Sequence, residues 1–283
     1  MEHDRPSTTS EAAAVQRGLH QSLDDEPKIL VDPIAIRIVE VPSDREVLIK
    51  VSGPAFKALR SRIVMRSRYA EDCLLDAVAK HAICQYLLLG AGLDTFAFRQ
   101  PSWARSLNIY EVDHPATQQW KRERIAATGL PIPANLVFAP VDFESMSLAE
   151  GLRDFGFDFG ALTFCSWLGV THYLSEEAID STFEFVSLLP RGSEIVFEFK
   201  AAADALSRSE ETEDAADAKA VALLGEPILS RFMPEELEAK LRGIGFSEVI
   251  SLSAEDAQQR YFNGRRDGLT AQIGVYRLAR AIV

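Results

Sequence analysis

An apolar run of strand length, Gln85–Leu89, stops at Gly90-Ala91-Gly92, and this junction constrains the fold more than any other stretch of the 283 residues. A run without polar alternation suits a strand buried on both faces, as in a parallel sheet. Glycines directly after it permit a tight loop whose backbone a ligand can approach. A second run, Leu107–Val112, ends in Asp113, about 20 residues downstream. Glycines after one strand and a carboxylate after the next form the usual cradle for an adenosine-containing cofactor.

From Gln85 onward, strand and helix signals alternate. Strands are expected at 85–89, 107–112, 135–139, 160–165, 193–199, 246–252 and 271–279, and helices at 115–128, 147–154, 175–188 and 234–243. Such alternation implies right-handed crossovers. The expected fold is α/β: a Rossmann-like, mostly parallel seven-stranded sheet with an antiparallel last strand and helices on both faces. The first 80 residues carry no clear strand. Their first ten residues read as disordered, Thr9 or Ser10 as a helix cap, and helices are expected over 11–17, near 32–39 and over 54–80. Residues 1–80 therefore form a helical extension or cap, and 81–283 the cofactor-binding domain. An acid-rich helical insertion is expected around 201–230, centred on Glu210–Asp214.

The loop itself discriminates among cofactors. A dinucleotide fingerprint wants a third glycine where Gly90-Ala91-Gly92-Leu93-Asp94-Thr95 has threonine. No Gly-Lys-Ser/Thr follows, which argues against a phosphate-binding P-loop. S-adenosylmethionine carries no phosphate and needs glycine contact, a carboxylate for the ribose and a slot for adenine. Asp113 suits the ribose because a carboxylate accepts from both hydroxyls. In Phe138-Ala139-Pro140-Val141-Asp142-Phe143, Asp142 suits the exocyclic amine and Phe143 the ring. Two other readings stay open. One is an NAD(P)-dependent oxidoreductase using the same cradle, although no convincing Tyr-x-x-x-Lys pair is present. The other is a non-catalytic binding protein of similar fold.

A net charge of −12 argues against nucleic-acid binding and against an anionic membrane surface. Cys73, Cys84 and Cys165 are scattered, without a C-x-x-C pair, as expected for a reduced cytosol. The polar N-terminus shows no signal peptide, and no apolar run reaches membrane-spanning length, so a cytoplasmic location is expected. No metal is expected, and the oligomeric state is left open.

The chain resembles class I S-adenosylmethionine-dependent methyltransferases of the leucine carboxyl methyltransferase-like family, in its bacterial branch. The matching text is Leu89–Thr95, Glu111-Val112-Asp113-His114-Pro115, Val141-Asp142-Phe143, Ser166–Leu174 and Arg260–Arg265. The resemblance implies an O-methyltransferase acting on a carboxylate or hydroxyl of a small-molecule acceptor. It implies that Arg68 grips the cofactor carboxylate and that Gly90 and Gly92 underlie the methionine portion. It puts Ser166 where the family's glutamate meets the cofactor amino group; serine can bond that group but not neutralise it. It places His172 and Tyr173 where the acceptor approaches, His172 as a candidate base and Tyr173 as pocket wall. The N-terminal helix with Arg17, His20 and Gln21 is expected to close over the cofactor. The cluster Arg260-Tyr261-Phe262 with Arg265 and Arg266 either lines the acceptor side or packs the last helix onto the sheet.

Overall fold

The computed structural model describes residues 7–41 and 44–283. Four helices precede the sheet: α1 (Thr8–Leu23), α2 (Ala35–Ile38), α3 (Arg45–Val51) and α4 (Pro54–Lys80). The expectation of disorder at residues 1–6 lies outside the described residues. Ser7, rather than Thr9 or Ser10, caps α1, its side chain accepting from the Ser10 N–H, so Thr8–Ser10 are helical. α3 is a helix that the sequence reading did not mark.

Strands β1 (Gln85–Leu89), β2 (Asn108–Asp113), β3 (Leu136–Pro140), β4 (Thr163–Trp167), β5 (Glu194–Lys200), β6 (Glu248–Ser251) and β7 (Tyr276–Ile282) form one sheet in the order β3-β2-β1-β4-β5-β7-β6. Only β7 runs antiparallel to its neighbours. The expected last strand at 271–279 is displaced: Ala271–Gly274 is irregular, and the ladder begins opposite Lys200 at Tyr276. Helices α5 (Phe96–Arg99), α6 (Pro115–Thr128), α7 (Leu148–Leu152), α8 (Glu176–Ser187), α9 (Arg208–Leu223), α10 (Pro234–Ile244) and α11 (Ala254–Ala257) complete the chain.

The period-two geometry of strands sorts the core into two layers. Leu87, Leu89, Val112, Trp167 and Phe197 pack with α8 and α10 residues such as Phe183 and Leu241 on one face. Tyr86, Leu88, Ile109, Phe164 and Val196 pack with Val64, Tyr69 and Leu74 of α4 on the other. α4 is thus a flanking helix of the sheet itself. β5 is buried along its whole length although it carries three ionisable residues on one face. Each meets a counter-charge: Glu194 with Arg280 (2.6 Å), Glu198 with Arg66 (2.6 Å) and Lys200 with Asp217 (2.7 Å). Buried charges persist only when paired in this way.

Strand order reverses between β1 and β4, so the loops after these strands diverge to opposite faces and leave a crevice at the carboxyl edge. α1 and α9 lie over that edge. α9 is held mainly by charge: Val221 is its one buried residue, whereas Asp214 and Asp217 both reach Lys200.

Candidate functional site

A cavity of about 400 Å³ opens at this edge. Its floor is the loop after β1. Gly90 and Gly92 have φ of +64° and +48°, the left-handed region that disfavours side chains. Added Cβ atoms would strike Val170 at Gly90 and Ser10 Oγ at Gly92. Ser10 Oγ also accepts from the Leu93 N–H at 2.9 Å, so α1 closes directly onto the loop.

Asp113, at the end of β2, accepts from the Gly92 and His114 N–H groups, the latter at 2.7 Å. Burial pushes its carboxyl above the usual range, against the lowering effect of those two amides. Asp142 follows β3 and fixes its own turn by accepting from the Glu144 N–H (3.1 Å) and Ser145 Oγ (2.9 Å). Phe143 stacks on Trp167, ring centroids 6.2 Å apart. Ser166, on β4, shares a hydrogen bond of 2.9 Å with Tyr86 Oη. His172 and Tyr173 follow in a short turn with ring centroids 4.2 Å apart. Gly90, Gly92, Asp113, Asp142, Phe143, Ser166, His172 and Tyr173 all line the cavity.

Arg68 does not. Its side chain is 45% exposed, pairs with Asp72 at 2.8 Å and lines a separate cavity of about 760 Å³. The arginines of α4 that face the crevice are Arg62 and Arg66. Residues 66 and 68 point about 200° apart around a helix, so only one of them can share the inward face. Leu59, Arg62, Ile63 and Arg66 follow helical spacing and all line the cavity, a phase that was present in the sequence. The Arg66 guanidinium occupies the space that a Cβ at Gly169 would need.

The 260–266 cluster sits beside Arg68 in the second cavity, not at the acceptor side. Phe262 is buried in the core and Tyr261 Oη donates to Asp72 at 2.9 Å, which is the packing alternative. Of the three α1 residues expected over the crevice, Arg17 lines it, bonding Leu93 O at 2.5 Å and Asp32 at 2.9 Å. His20 and Gln21 instead bind the following loop: His20 pairs with Asp24 at 2.8 Å, and Gln21 donates to Leu30 O at 2.9 Å.

Sequence reasoning also missed Glu226. Its carboxylate caps the start of α1, accepting from the Thr8 and Thr9 N–H groups at 2.6 and 3.3 Å and from Ser7 Oγ at 3.2 Å. A carboxylate at a helix N-terminus is favoured by orphan amides and the helix dipole. No local signal marks Glu226, because its partner lies 218 residues away.

The far end of the cavity is rich in cations. Burial, then Arg62, Arg66, Lys200 and Arg231, hold His172 well below the usual histidine range, so its ring is neutral at pH 7. Burial pushes the Tyr173 hydroxyl up to about 12. Burial likewise raises Tyr276, against the lowering effect of Arg62. The arrangement fits a sulfonium nucleoside. Two glycines leave room for close backbone approach, and carboxylates end both strands that would face its sugar and base.

The leucine carboxyl methyltransferase family profile matches residues 10–187. YktD of Bacillus subtilis (strain 168), provisionally named an S-adenosyl-L-methionine-dependent methyltransferase, is 38% identical over 209 residues, covering 73% of this chain and 67% of that protein. A similarly named protein of Mycobacterium avium (strain 104) is 29% identical over 209 residues, covering 70% of this chain and 69% of its own. Among solved structures, a DUF574-family protein of Streptomyces avermitilis MA-4680 matches 99% of this chain and 98% of its own, with a TM-score of 0.59 at 15% identity. A protein of Thermobifida fusca YX matches over 99% and 96%, with a TM-score of 0.58 at 16% identity. At such identities these two structures speak to the fold.

Proposed function

This chain belongs to the leucine carboxyl methyltransferase family, and from that premise we propose that it methylates a carboxylate or hydroxyl oxygen of a small-molecule acceptor. It is an S-adenosylmethionine-dependent methyltransferase, and S-adenosylmethionine is its cofactor. The observation that carries the oxygen-acceptor reading is one cavity with two chemically distinct ends. Gly90, Gly92, Asp113 and Asp142 line one part of it, and Arg62, His172 and Tyr173 another.

In this reading Asp113 accepts from the ribose hydroxyls, and Asp142 with Phe143 holds the adenine. The Gly90–Gly92 loop underlies the methionine portion, with Ser166 at its amino group. Arg66 takes the carboxylate role that the sequence suggested for Arg68. Bound there, S-adenosylmethionine supplies an electrophilic methyl group on a cationic sulfur. The chain's own contribution is alignment and exclusion of water by Leu168, Val170 and the α1 roof; such alignment is worth several kcal/mol, up to about 7–11 in favourable systems. A carboxylate acceptor needs no base. For a hydroxyl acceptor, neutral His172 is the group that could take the proton, and its depressed basicity makes it a weak base.

Calorimetric titration with S-adenosylhomocysteine tests the cofactor half, and release of that product with candidate acceptors tests the transfer. A chain that ignores S-adenosylhomocysteine and binds NAD or NADP would overturn the reading.

A further inference from the structure

The second cavity, of about 760 Å³, opens where Arg68 turns away from the crevice. That volume lies within the range of small-molecule sites. Three segments line it: Asp25–Ile29, which leaves α1, residues from Gln259 to Arg266, and α4 with Arg68 and Asp72. The sequence Arg260–Arg265, which the methyl-transfer site does not use, therefore belongs here.

These walls are fixed by their own bonds. Arg265 ties two segments together, donating to Pro27 O at 2.7 Å, to Asp25 O at 2.9 Å and to Asp267 at 3.1 Å. Tyr261 Oη donates to Asp72, which in turn pairs with Arg68, so α4 is tied to the same turn. Gln258–Phe262 is a single π-helical turn, a geometry that recurs at functional sites.

Charge selects the ligand. Five cationic side chains line this cavity with three acidic ones, in a chain that has 42 Asp and Glu against 30 Lys and Arg. Three of the cations are committed: Arg265 to Asp267, Arg68 to Asp72, and Lys28 to Asp24 O and, at 3.8 Å, to Glu26. Arg260 and Arg266 are exposed, and among the described residues neither meets a carboxylate at ion-pair distance. A lone exposed arginine is ordinary solvated surface. Two that line one concave site add their fields where a ligand would sit. A carboxylate would match only one of them. A phosphate monoester, with a charge of about −1.5 to −2 at pH 7 and three acceptor oxygens, matches both. Asp25 and Glu26 in the same cavity oppose a second phosphate and suit hydroxyl donors.

We propose that this cavity is a second ligand site, which takes a small phosphate monoester with a hydroxyl-bearing body. The guanidiniums of Arg260 and Arg266, with the N–H groups of Arg68 that Asp72 leaves free, hold the phosphate. Asp25 and Glu26 accept from the hydroxyls. Guanidinium groups suit this task because their paired N–H donors match phosphate oxygens. The site lies outside the methyl-transfer crevice, so the inference stands independently of the acceptor.

The test titrates the full chain, with and without saturating S-adenosylhomocysteine, and reads affinity by calorimetry and Tm by thermal melting. The probes are ribose phosphate esterified at its primary hydroxyl, inorganic phosphate, free ribose, ribonate, pyrophosphate and a phosphoserine peptide. Ribose phosphate is expected to bind once per chain, to raise Tm, and to bind equally well when the crevice is filled. Inorganic phosphate should bind more weakly, and ribose and ribonate about tenfold or more below the ester. Arg260→Gln and Arg266→Gln lie at exposed positions and should leave the unliganded Tm and the S-adenosylhomocysteine affinity unchanged. Each should weaken ribose phosphate about tenfold or more, and Arg260→Lys should keep part of that affinity. Ribose phosphate binding that survives both glutamine substitutions would overturn the proposal, as would its displacement by S-adenosylhomocysteine. So would tighter binding of ribonate or pyrophosphate, binding of the peptide in preference to the small ester, or no binding of either ribose phosphate or inorganic phosphate.

Discussion

Asp113 does two jobs at once: it ties the glycine loop to β2 through the Gly92 and His114 amides and ends at the cavity. Asp113→Ala is expected to leave the sheet folded and to weaken S-adenosylhomocysteine binding by about 1.5–3 kcal/mol, the usual worth of a charge-assisted hydrogen bond; unchanged affinity in calorimetry would reject the ribose role. Gly92→Ala should cost about 1–3 kcal/mol, read as a lower Tm, because the left-handed φ and Ser10 both oppose a Cβ. His172 sets the pH behaviour. Its folded pKa lies well below 6.5, so it stays neutral from that value upward, and a carboxylate acceptor is ionised over the same range. The rate with an acid substrate is therefore expected to show no histidine limb between about pH 6.5 and 9; a limb in that range abolished by His172→Asn would assign it a proton-transfer role. Asp113 and Asp142 were legible in the sequence because strand ends display their residues at a known edge. The Arg66–Arg68 choice required helical phase, which the stretch around Ser67 states only when Leu59, Arg62 and Ile63 are counted with it.

At the scale of elements, α1 and α9 cover the site by different physics. α1 is anchored by buried networks, among them Asp24 with His20 (2.8 Å) and with Arg60 (2.7 Å). Burial pushes the Asp24 carboxyl up, but the His20 and Arg60 hydrogen bonds outweigh it and the net shift is downward. A depressed folded pKa contributes stability that is complete above the unfolded value of about 4 and is lost as pH falls through the lower folded value. Tm is therefore expected to hold between pH 6 and 5 and to fall below about pH 4; Asp24→Asn should be less stable at neutral pH yet show a shallower acid limb. α9 depends on Lys200, which is fully buried between Asp214 and Asp217. Lys200→Met should free α9, seen as lost amide-exchange protection over 208–223, at a cost below the ~3–5 kcal/mol of a fully buried pair because both acids touch solvent. Retained protection would show that Val221 packing alone holds the helix.

For the whole molecule, a cofactor held in the proposed site would bridge the first-half loops and the α1 roof, so binding should stabilise the fold as a unit. S-adenosylhomocysteine at 100 times its Kd is expected to add about 2.7 kcal/mol, visible as a single shifted thermal transition, whereas NAD and NADP should add nothing. Among the described residues no helix is long and apolar enough to cross a membrane.

Local chemistry determined much by itself. Apolar runs ending in Gly90 and Asp113, alternating with amphipathic segments, are enough for a parallel sheet with a cofactor edge, because strand burial and glycine conformation are properties of a few adjacent residues. The start of β7 escaped that logic: Ala271–Gly274 alternates like a strand but has no ladder partner, and only the β5 edge sets where pairing begins. The acceptor end escaped it too. Arg62, His172, Tyr276 and Glu226 come from four distant segments. Their meeting, and with it which charges are matched and which are left open, was decided by tertiary packing, since electrostatic pairing depends on distance in space and not along the chain.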